Sequence, residues 1–174
     1  MTIIGRYGTI WQKRVNNHFM DKSLINMEVS RKLKGILDEI NICIFNTSDF
    51  LKRRIVSGLM STARVDEDST LWFFTEKNSK QVMDIEANRA VHLVFSHPAK
   101  SNFVDIWGQA ILIEDRIKID ELWSPVAHVL FLNGKPKSDI CLIKVKPQKA
   151  YYWDGDINQS VGYLTSQFPT PTDT

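Results

Sequence analysis

Residues 71–88, LWFFTEKNSKQVMDIEAN, contain the strongest local signal in the chain. The run Leu71–Thr75 is aromatic and apolar, which is typical of a buried β-strand. Asn78 and Ser79 are helix-capping residue types, and Lys80–Ala87 has the apolar spacing of a short amphipathic helix. We therefore predict a strand, a tight loop and a helix that begins directly after the loop.

The rest of the chain predicts further strands and two more helices. Apolar residues at three- and four-residue spacing predict a helix over Met27–Ile40, and Asp115 is the expected N-cap of a helix that runs to Leu122. Strands predominate and no regular βαβ repeat occurs, so the expected fold class is α+β, mainly β, with an antiparallel barrel. The other expected strands are Ile42–Phe45, Arg53–Ser61, Val91–Phe95 and Phe103–Glu114, followed by one or two last strands around Pro147, at Ile140–Val145 and Ala150–Trp153.

The start of the 80–87 helix is a candidate phosphate site. The first N–H groups of a helix lack internal acceptors and carry partial positive charge, which suits an anion. Thr75 and Ser79 offer hydroxyls there, and Lys80 offers a cation. Arg53 and Arg54 lie in a neighbouring predicted strand, where alternation directs one guanidinium inward toward a partner such as a phosphate. Ser79 is also what a well-capped helix alone requires, and the sequence leaves both interpretations open.

Aromatic residues are abundant around this region and admit two interpretations. They could line a cleft for a flat cofactor ring, or they could form the hydrophobic core. The aromatic residues concerned are Trp72, Phe73, Phe74, Phe95, Phe103, Trp107, Trp123, Tyr151, Tyr152 and Trp153.

Composition and charge limit the possible functions. The 174 residues carry 22 Lys and Arg against 20 Asp and Glu, a net charge of +2, which argues against nucleic-acid binding. No apolar run has the length of a membrane span and the N-terminus is unlike a signal peptide, so no membrane association is expected.

Cys43 and Cys141 lie in apolar runs and are expected to be buried, reduced thiols, which favours a cytoplasmic location. The scattered histidines and cysteines lack zinc-ligand spacing, so no metal is expected. Glycine-rich dinucleotide, P-loop and nucleophile-elbow patterns are absent.

Four segments together resemble a known family. They are LWFFTEKNSKQV at 71–82, FVDIWGQA at 103–110, DRIKIDELWSP at 115–125 and LIKVKPQKAYYWD at 142–154. In this order and spacing, the chain resembles the flavin mononucleotide (FMN)-binding split-barrel proteins related to pyridoxamine 5′-phosphate oxidase. Within them it is most similar to the general stress protein 26 branch, and the resemblance covers roughly residues 28–155.

This resemblance implies a six-stranded antiparallel split β-barrel that forms a homodimer, with FMN bound at the subunit interface. It implies a barrel domain over 27–155, between an N-terminal arm at 1–26 and a C-terminal tail at 156–174. In such a protein the flavin performs the redox step, so no side chain is assigned a catalytic role. The cofactor-binding residues implied by the match are Arg54, Ile55, Val56, Ser57, Phe74, Thr75, Ser79, Lys80, Gln81 and Trp153, of which Trp153 reaches the flavin from the other subunit.

Several positions depart from the pattern of the oxidase itself. Leu59 and Gln81 stand where the oxidase has lysines, and Phe103 stands where it has a glutamine that contacts the flavin. Residues 154–174 contain neither Arg nor His, so the Arg-x-His motif that holds the vitamin substrate is missing. We therefore expect weakened phosphate binding and no oxidation of pyridoxamine phosphate.

Three functions remain open on the sequence alone. The first is an FMN-dependent oxidoreductase of the general stress type that acts on a small-molecule substrate whose identity the sequence does not give. The second is a non-catalytic flavin-binding or flavin-storing stress protein. The third is a split barrel that binds another ligand in its cleft, such as haem or a deazaflavin. Leu59 and Gln81 favour the third function, whereas Arg54, Thr75 and Ser79 favour the first two.

Overall fold

The computed structural model describes residues 22–49, 52–125, 127, 136–154 and 159–165, which contain more strand than helix. The elements in chain order are α1 (Lys22–Glu39), β1 (Ile42–Asp49), β2 (Arg54–Val65), β3 (Leu71–Glu76), α2 (Lys80–Ala87), β4 (Ala90–His97), β5 (Asn102–Ile113), α3 (Arg116–Leu122), β6 (Ile140–Asp154) and β7 (Gln159–Thr165).

Six of these strands close into an antiparallel barrel. Their order is β3-β2-β1-β4-β5-β6, and β6 pairs back onto β3. Strand β6 has a different partner on each of its two edges. On one edge its first half pairs with β3 and its second half with β7, and on the other edge it pairs with β5. Closure satisfies strand edges that would otherwise be open to other chains. The fold is thus α+β, mainly β, with a six-stranded split barrel, as the sequence predicted, and β7 extends the sheet.

Strand β3 supplies side chains to two hydrophobic cores, because successive strand residues face opposite sides. Leu71 and Phe73 belong to the core inside the barrel, where Phe73 packs edge-on against Phe45 with ring centroids 5.2 Å apart. Trp72 and Phe74 belong to a second core formed with α3. This double burial explains why the decisive stretch is apolar at consecutive positions rather than at every second one.

The aromatic residues divide between the cores and the surface. Phe73 and Phe95 are fully buried, so the core interpretation is right for residues of this group. Phe103, Trp107, Tyr151 and Trp153 are 37–47% exposed on β5 and β6, and this second group is open to a ligand or partner.

The ends of the domain differ from the sequence expectations. Helix α1 begins at Lys22, about one turn before the predicted start at Met27, and Ile25 stands four residues before Val29, which continues the apolar period. At the other end, β7 forms within the segment 156–174 assigned to the tail. Residues 1–21 lie outside the described residues, and the division into arm, domain and tail stays a prediction.

Candidate functional site

The junction of β3 and α2 brings two hydroxyl groups together. Thr75 is buried near the end of β3, and its Oγ1 lies 3.0 Å from the Oγ of Ser79. Ser79 is the N-cap of α2, since its Oγ accepts the N–H of Val82 at 3.3 Å. The predicted cap is therefore confirmed. The hydroxyl pair stands beside the first-turn N–H groups of α2, whose partial positive charge favours an anion.

The turn between β1 and β2 places a carboxylate opposite the predicted phosphate-binding arginine. Arg54 pairs in register with Asp49, and its Nε lies 3.9 Å from Asp49 Oδ2. Asp49 Oδ1 accepts the backbone N–H of Lys52 at 3.0 Å. The expectation that one of the two arginines points inward is wrong, because Arg53 and Arg54 are both exposed. Arg53 lies in the turn, with a φ of 49°, before the alternation of β2 begins.

Lys80 connects this turn to α2. Its Nζ pairs with the carboxylate of Asp84 and lies 3.3 Å from Asp49 Oδ2. Asp84 is buried and also accepts the hydroxyl of Thr47 at 2.7 Å. The pKa of Lys80 is raised, most by its hydrogen bond to Asp84 and less by its hydrogen bond to Asp49. The pKa of Asp49 is lowered, chiefly by the N–H of Lys52 that it accepts.

Both aspartates belong to this candidate site, although neither was predicted from the sequence. Asp84 follows Lys80 by four residues, a spacing that places the two side chains on one helix face and could have revealed the pair. Asp49 is distant from Lys80 in sequence and meets it only because the β1–β2 turn lies beside the start of α2, so no local signal was present.

Gln81 lies over the backbone of β2 at Gly58. A Cβ at Gly58 would stand 2.5 Å from Nε2 of Gln81, so the missing side chain makes room for Gln81. A glycine inside a strand is typical of a bulge or a close approach, and here the close approach is that of Gln81. Arg54, Lys80 and the Thr75–Ser79 pair thus form one polar cluster, with Gln81 at its side.

The cofactor-binding residues predicted in β2 after Arg54 divide by the alternation of the strand. Ile55 and Ser57 are exposed on the outer face of the sheet, next to Leu59, while Val56 faces the opposite side and is half-buried. Phe74 is 5% exposed and packs edge-on against Trp123 in the second core.

Trp153 is not brought beside β2 within one chain. It lies in the second half of β6, opposite Phe103 of β5, whereas only the first half of β6 pairs with β3, the neighbour of β2. In the other direction β5, β4 and β1 stand between β6 and β2, which is about 19 Å at the usual strand spacing.

The outer face of the sheet carries a hydrogen-bond chain that crosses β2, β1, β4 and β5. The Ser57 hydroxyl donates to Asn46 Oδ1 at 2.6 Å, and Asn46 Nδ2 lies 3.3 Å from His92 Nδ1. His92 Nε2 lies 2.5 Å from Asp105 Oδ1. Because a carboxylate only accepts, His92 donates from Nε2 and accepts from Asn46 at Nδ1. The His92 ring also stacks on Trp107, with centroids 4.4 Å apart.

Other classes of site find no support in the described ranges. Among these residues, no three His, Cys, Asp or Glu side chains are grouped so that they could hold a metal ion. None of the helices described is long and apolar enough to cross a membrane. Cys43 and Cys141 are both buried and free, and burial raises their thiol pKa values to about 12 and about 11.

Comparison with known proteins agrees with this geometry. A family model described as "Pyridoxamine 5'-phosphate oxidase like" matches residues 28–168. None of the curated proteins matches the chain significantly.

Similar solved structures share the fold. General Stress Protein 26 from Bacillus anthracis str. Sterne is 22% identical, with a TM-score of 0.62, over 77% of this chain and 98% of that one. The general stress FMN/FAD binding protein from Xanthomonas citri is 21% identical, with a TM-score of 0.61, over 84% and 99%. A Clostridium acetobutylicum protein related to general stress protein 26 is 14% identical, with a TM-score of 0.65, over 80% and 95%. At these identities the likeness establishes the fold alone.

Proposed function

Because the chain belongs to the pyridoxamine 5′-phosphate oxidase-like family, we propose that it binds FMN and acts as a flavin-dependent oxidoreductase of the general stress type. The observation that carries the proposal is the cluster at the start of α2, where two cations and two hydroxyls gather beside first-turn N–H groups. Bound FMN supplies hydride and electron transfer, which no protein side chain provides. One relative, from Xanthomonas citri, is described as an FMN/FAD binding protein.

The donor set of this cluster fits a phosphate monoester. Arg54 and Lys80 would contribute charge, and Thr75, Ser79 and Gln81 would contribute hydrogen-bonding groups. Beyond the phosphate, the β2 run Ile55–Ser57 would lie along the ring system. The exposed Ser57 oxygen, whose hydrogen is donated to Asn46, could accept a ring N–H. Phe74 would act as support for Thr75 from the second core, since its own side chain is buried there.

The proposal includes a homodimer with FMN at the subunit interface. Ile42, Ile44 and Leu59 form an apolar patch on the outer face that is about half or more exposed, and Ile44 pairs directly with Leu59. An open groove of about 390 Å³ lies along this patch. Apolar patches of this kind are typical of surfaces that a partner covers. A second copy would also supply Trp153, which within one chain lies in the half of β6 that does not pair with β3.

The substrate would not be pyridoxamine phosphate, because residues 154–174 contain neither Arg nor His to hold it. We also propose a cytoplasmic location, for which the support is the pair of buried free cysteines.

A second candidate function is non-catalytic flavin binding or storage. It is favoured by the pairing of Arg54 and Lys80 with Asp49 and Asp84, since cations that are already paired bind a phosphate less tightly.

Two assays test these functions together. Titration with FMN, followed by quenching of flavin fluorescence, should saturate at about one flavin per chain, and Arg54→Ala should weaken binding at least about tenfold because a charged contact is lost. Flavin-loaded protein is then mixed with NADH or NADPH and an artificial acceptor. Turnover above free FMN supports the oxidoreductase, and binding without turnover supports the carrier. If FMN does not bind, a split barrel with another ligand replaces both.

A further inference from the structure

Asp49 occupies the position between the two cations of the proposed phosphate site. One oxygen, Oδ2, lies 3.3 Å from Lys80 Nζ and 3.9 Å from Arg54 Nε, so the same atom faces both positive charges. The other oxygen, Oδ1, accepts the N–H of Lys52 at 3.0 Å. An anionic oxygen held between a lysine and an arginine, with a backbone N–H on its neighbour, is the arrangement that a bound phosphate would itself adopt.

Burial shows which partner is fixed and which is accessible. The Asp49 side chain is 6% exposed, whereas those of Arg54 and Lys80 are 60% and 40% exposed. The cations therefore reach solvent on one side and rest on the carboxylate on the other. A ligand that approaches from solvent meets cations whose charge Asp49 already offsets.

The second carboxylate, Asp84, has a different role. It accepts the Thr47 hydroxyl at 2.7 Å and pairs with Lys80 within α2, so it ties the helix to β1. The contacts of Asp84 are with Thr47 and Lys80, whereas those of Asp49 include Arg54. Asp49 is thus the carboxylate that competes for both cations at once.

We propose that Asp49 determines the phosphate selectivity of this site, because it competes with the ligand's phosphate for Arg54 and Lys80. This inference rests on the proposed binding of FMN and deepens it. Its consequence is a small preference for FMN over riboflavin, which lacks the phosphate, and hence reversible binding of the phosphorylated flavin. Removal of the Asp49 charge ends its competition for both cations without removing a donor, while Lys80 keeps its pair with Asp84.

The experiment compares the dissociation constants of FMN and riboflavin for wild-type protein, Asp49→Asn and a control, at low ionic strength, from quenching of flavin fluorescence. Asp120→Asn is the matched control, because it makes the same change in net charge on α3, where Asp120 pairs with Lys137. Asp49→Asn should bind FMN about tenfold more tightly, as expected for one opposing charge next to a partly solvated phosphate. Riboflavin affinity should stay within about twofold, and Asp49→Glu, which keeps the charge, should restore the wild-type ratio.

The outcomes separate this inference from the proposed function. If both flavins bind and the FMN-to-riboflavin ratio is unchanged or falls in Asp49→Asn, Asp49 is only a structural ion pair and the inference is overturned. If neither flavin binds wild type or variant, the proposed function fails and the inference fails with it. Thermal denaturation of each variant checks the fold. Should Asp49→Asn unfold, Asp49→Ser replaces it, since a serine oxygen can still accept the Lys52 N–H.

Discussion

Three glycines provide a test of the structure at the level of single methyl groups. Gly108 lies in β5, where the register with β6 shifts between Trp107 and Gly108. A Cβ there would stand 2.6 Å from the backbone oxygen of Lys146 and 3.1 Å from Cγ1 of Val145. Ordinary contact begins near 3.4 Å, and the nearest atom belongs to the backbone of a paired strand, which cannot move freely. We therefore expect Gly108→Ala to destabilise the protein.

The magnitude follows from two opposing effects. Overpacking of a closed core costs about 1–3 kcal/mol. The smaller conformational entropy of an unfolded alanine returns about 0.4–1 kcal/mol. The net loss in the free energy of unfolding should be about 1.3 kcal/mol, or about 3–5 °C in melting temperature.

The other two glycines are the controls. At Gly35 in α1 nothing lies within 4 Å of the added methyl, so Gly35→Ala should stabilise the protein by about 0.5–1 kcal/mol through helix propensity. At Gly58 the methyl meets only the end of the flexible Gln81 side chain, and the stability change should stay within about 0.5 kcal/mol.

Urea denaturation of the three variants, followed by circular dichroism, measures these differences provided that the slope with urea is unchanged. A Gly108→Ala variant as stable as wild type would refute the close packing of β5 on β6. A Gly58→Ala variant that loses more stability than Gly108→Ala would refute the placement of Gln81 over β2.

Three further predictions concern thiols, acid stability and association. Cys43 and Cys141 should react with a thiol reagent only when the protein unfolds. Burial raises their pKa values to about 12 and about 11, so the reactive thiolate is scarce at neutral pH. Rapid labelling of the native protein would contradict their burial. Folding lowers the pKa of Asp49 from its usual 3.8, so the ionised carboxylate stabilises the protein above pH 3.8, and this contribution is lost as the pH falls through the lower pKa of the folded state. In acid titrations, the free energy of unfolding of Asp49→Asn should therefore fall less steeply below about pH 4 than that of wild type. An equally steep fall in both proteins would be the contrary result. Leu59→Glu places a charge in the apolar patch and should raise the dimer dissociation constant, measured by sedimentation, at least about tenfold. Ile117→Glu, the control on α3, should leave that constant unchanged. Equal effects of the two variants would argue against the proposed interface.

Much of the fold could be predicted from the sequence because local signals were strong. Asp115 is an example: its Oδ1 accepts the N–H of Ile117 at 2.9 Å, so the expected cap of α3 is confirmed. The strand–loop–helix of Leu71–Ala87 is confirmed for the same reason, since aromatic β-propensity and an N-cap serine act over a few residues. The strand β7 was not predicted, because it depends on a long-range pairing with β6 rather than on its own short pattern.

The site could be predicted in part. Thr75 and Ser79 were found because they flank a helix start, and the structure places their oxygens 3.0 Å apart. Asp49 was not found, since it meets Lys80 where the β1–β2 turn lies beside the start of α2, and no spacing in the sequence indicates that contact. The sequence also could not divide the aromatic residues, because Phe95 and Phe103 are the same residue type and differ only in which face of the sheet they occupy.

The most direct test of the central claim is the visible absorption spectrum of the full chain before and after addition of FMN. Binding at the described cluster predicts a shifted, structured flavin band that saturates at about one FMN per chain and is lost or weakened in Arg54→Ala but kept in the Asp120→Asn control. A spectrum identical to that of free FMN at every protein concentration would contradict the claim, and an equal shift in the Arg54→Ala variant would place the flavin elsewhere.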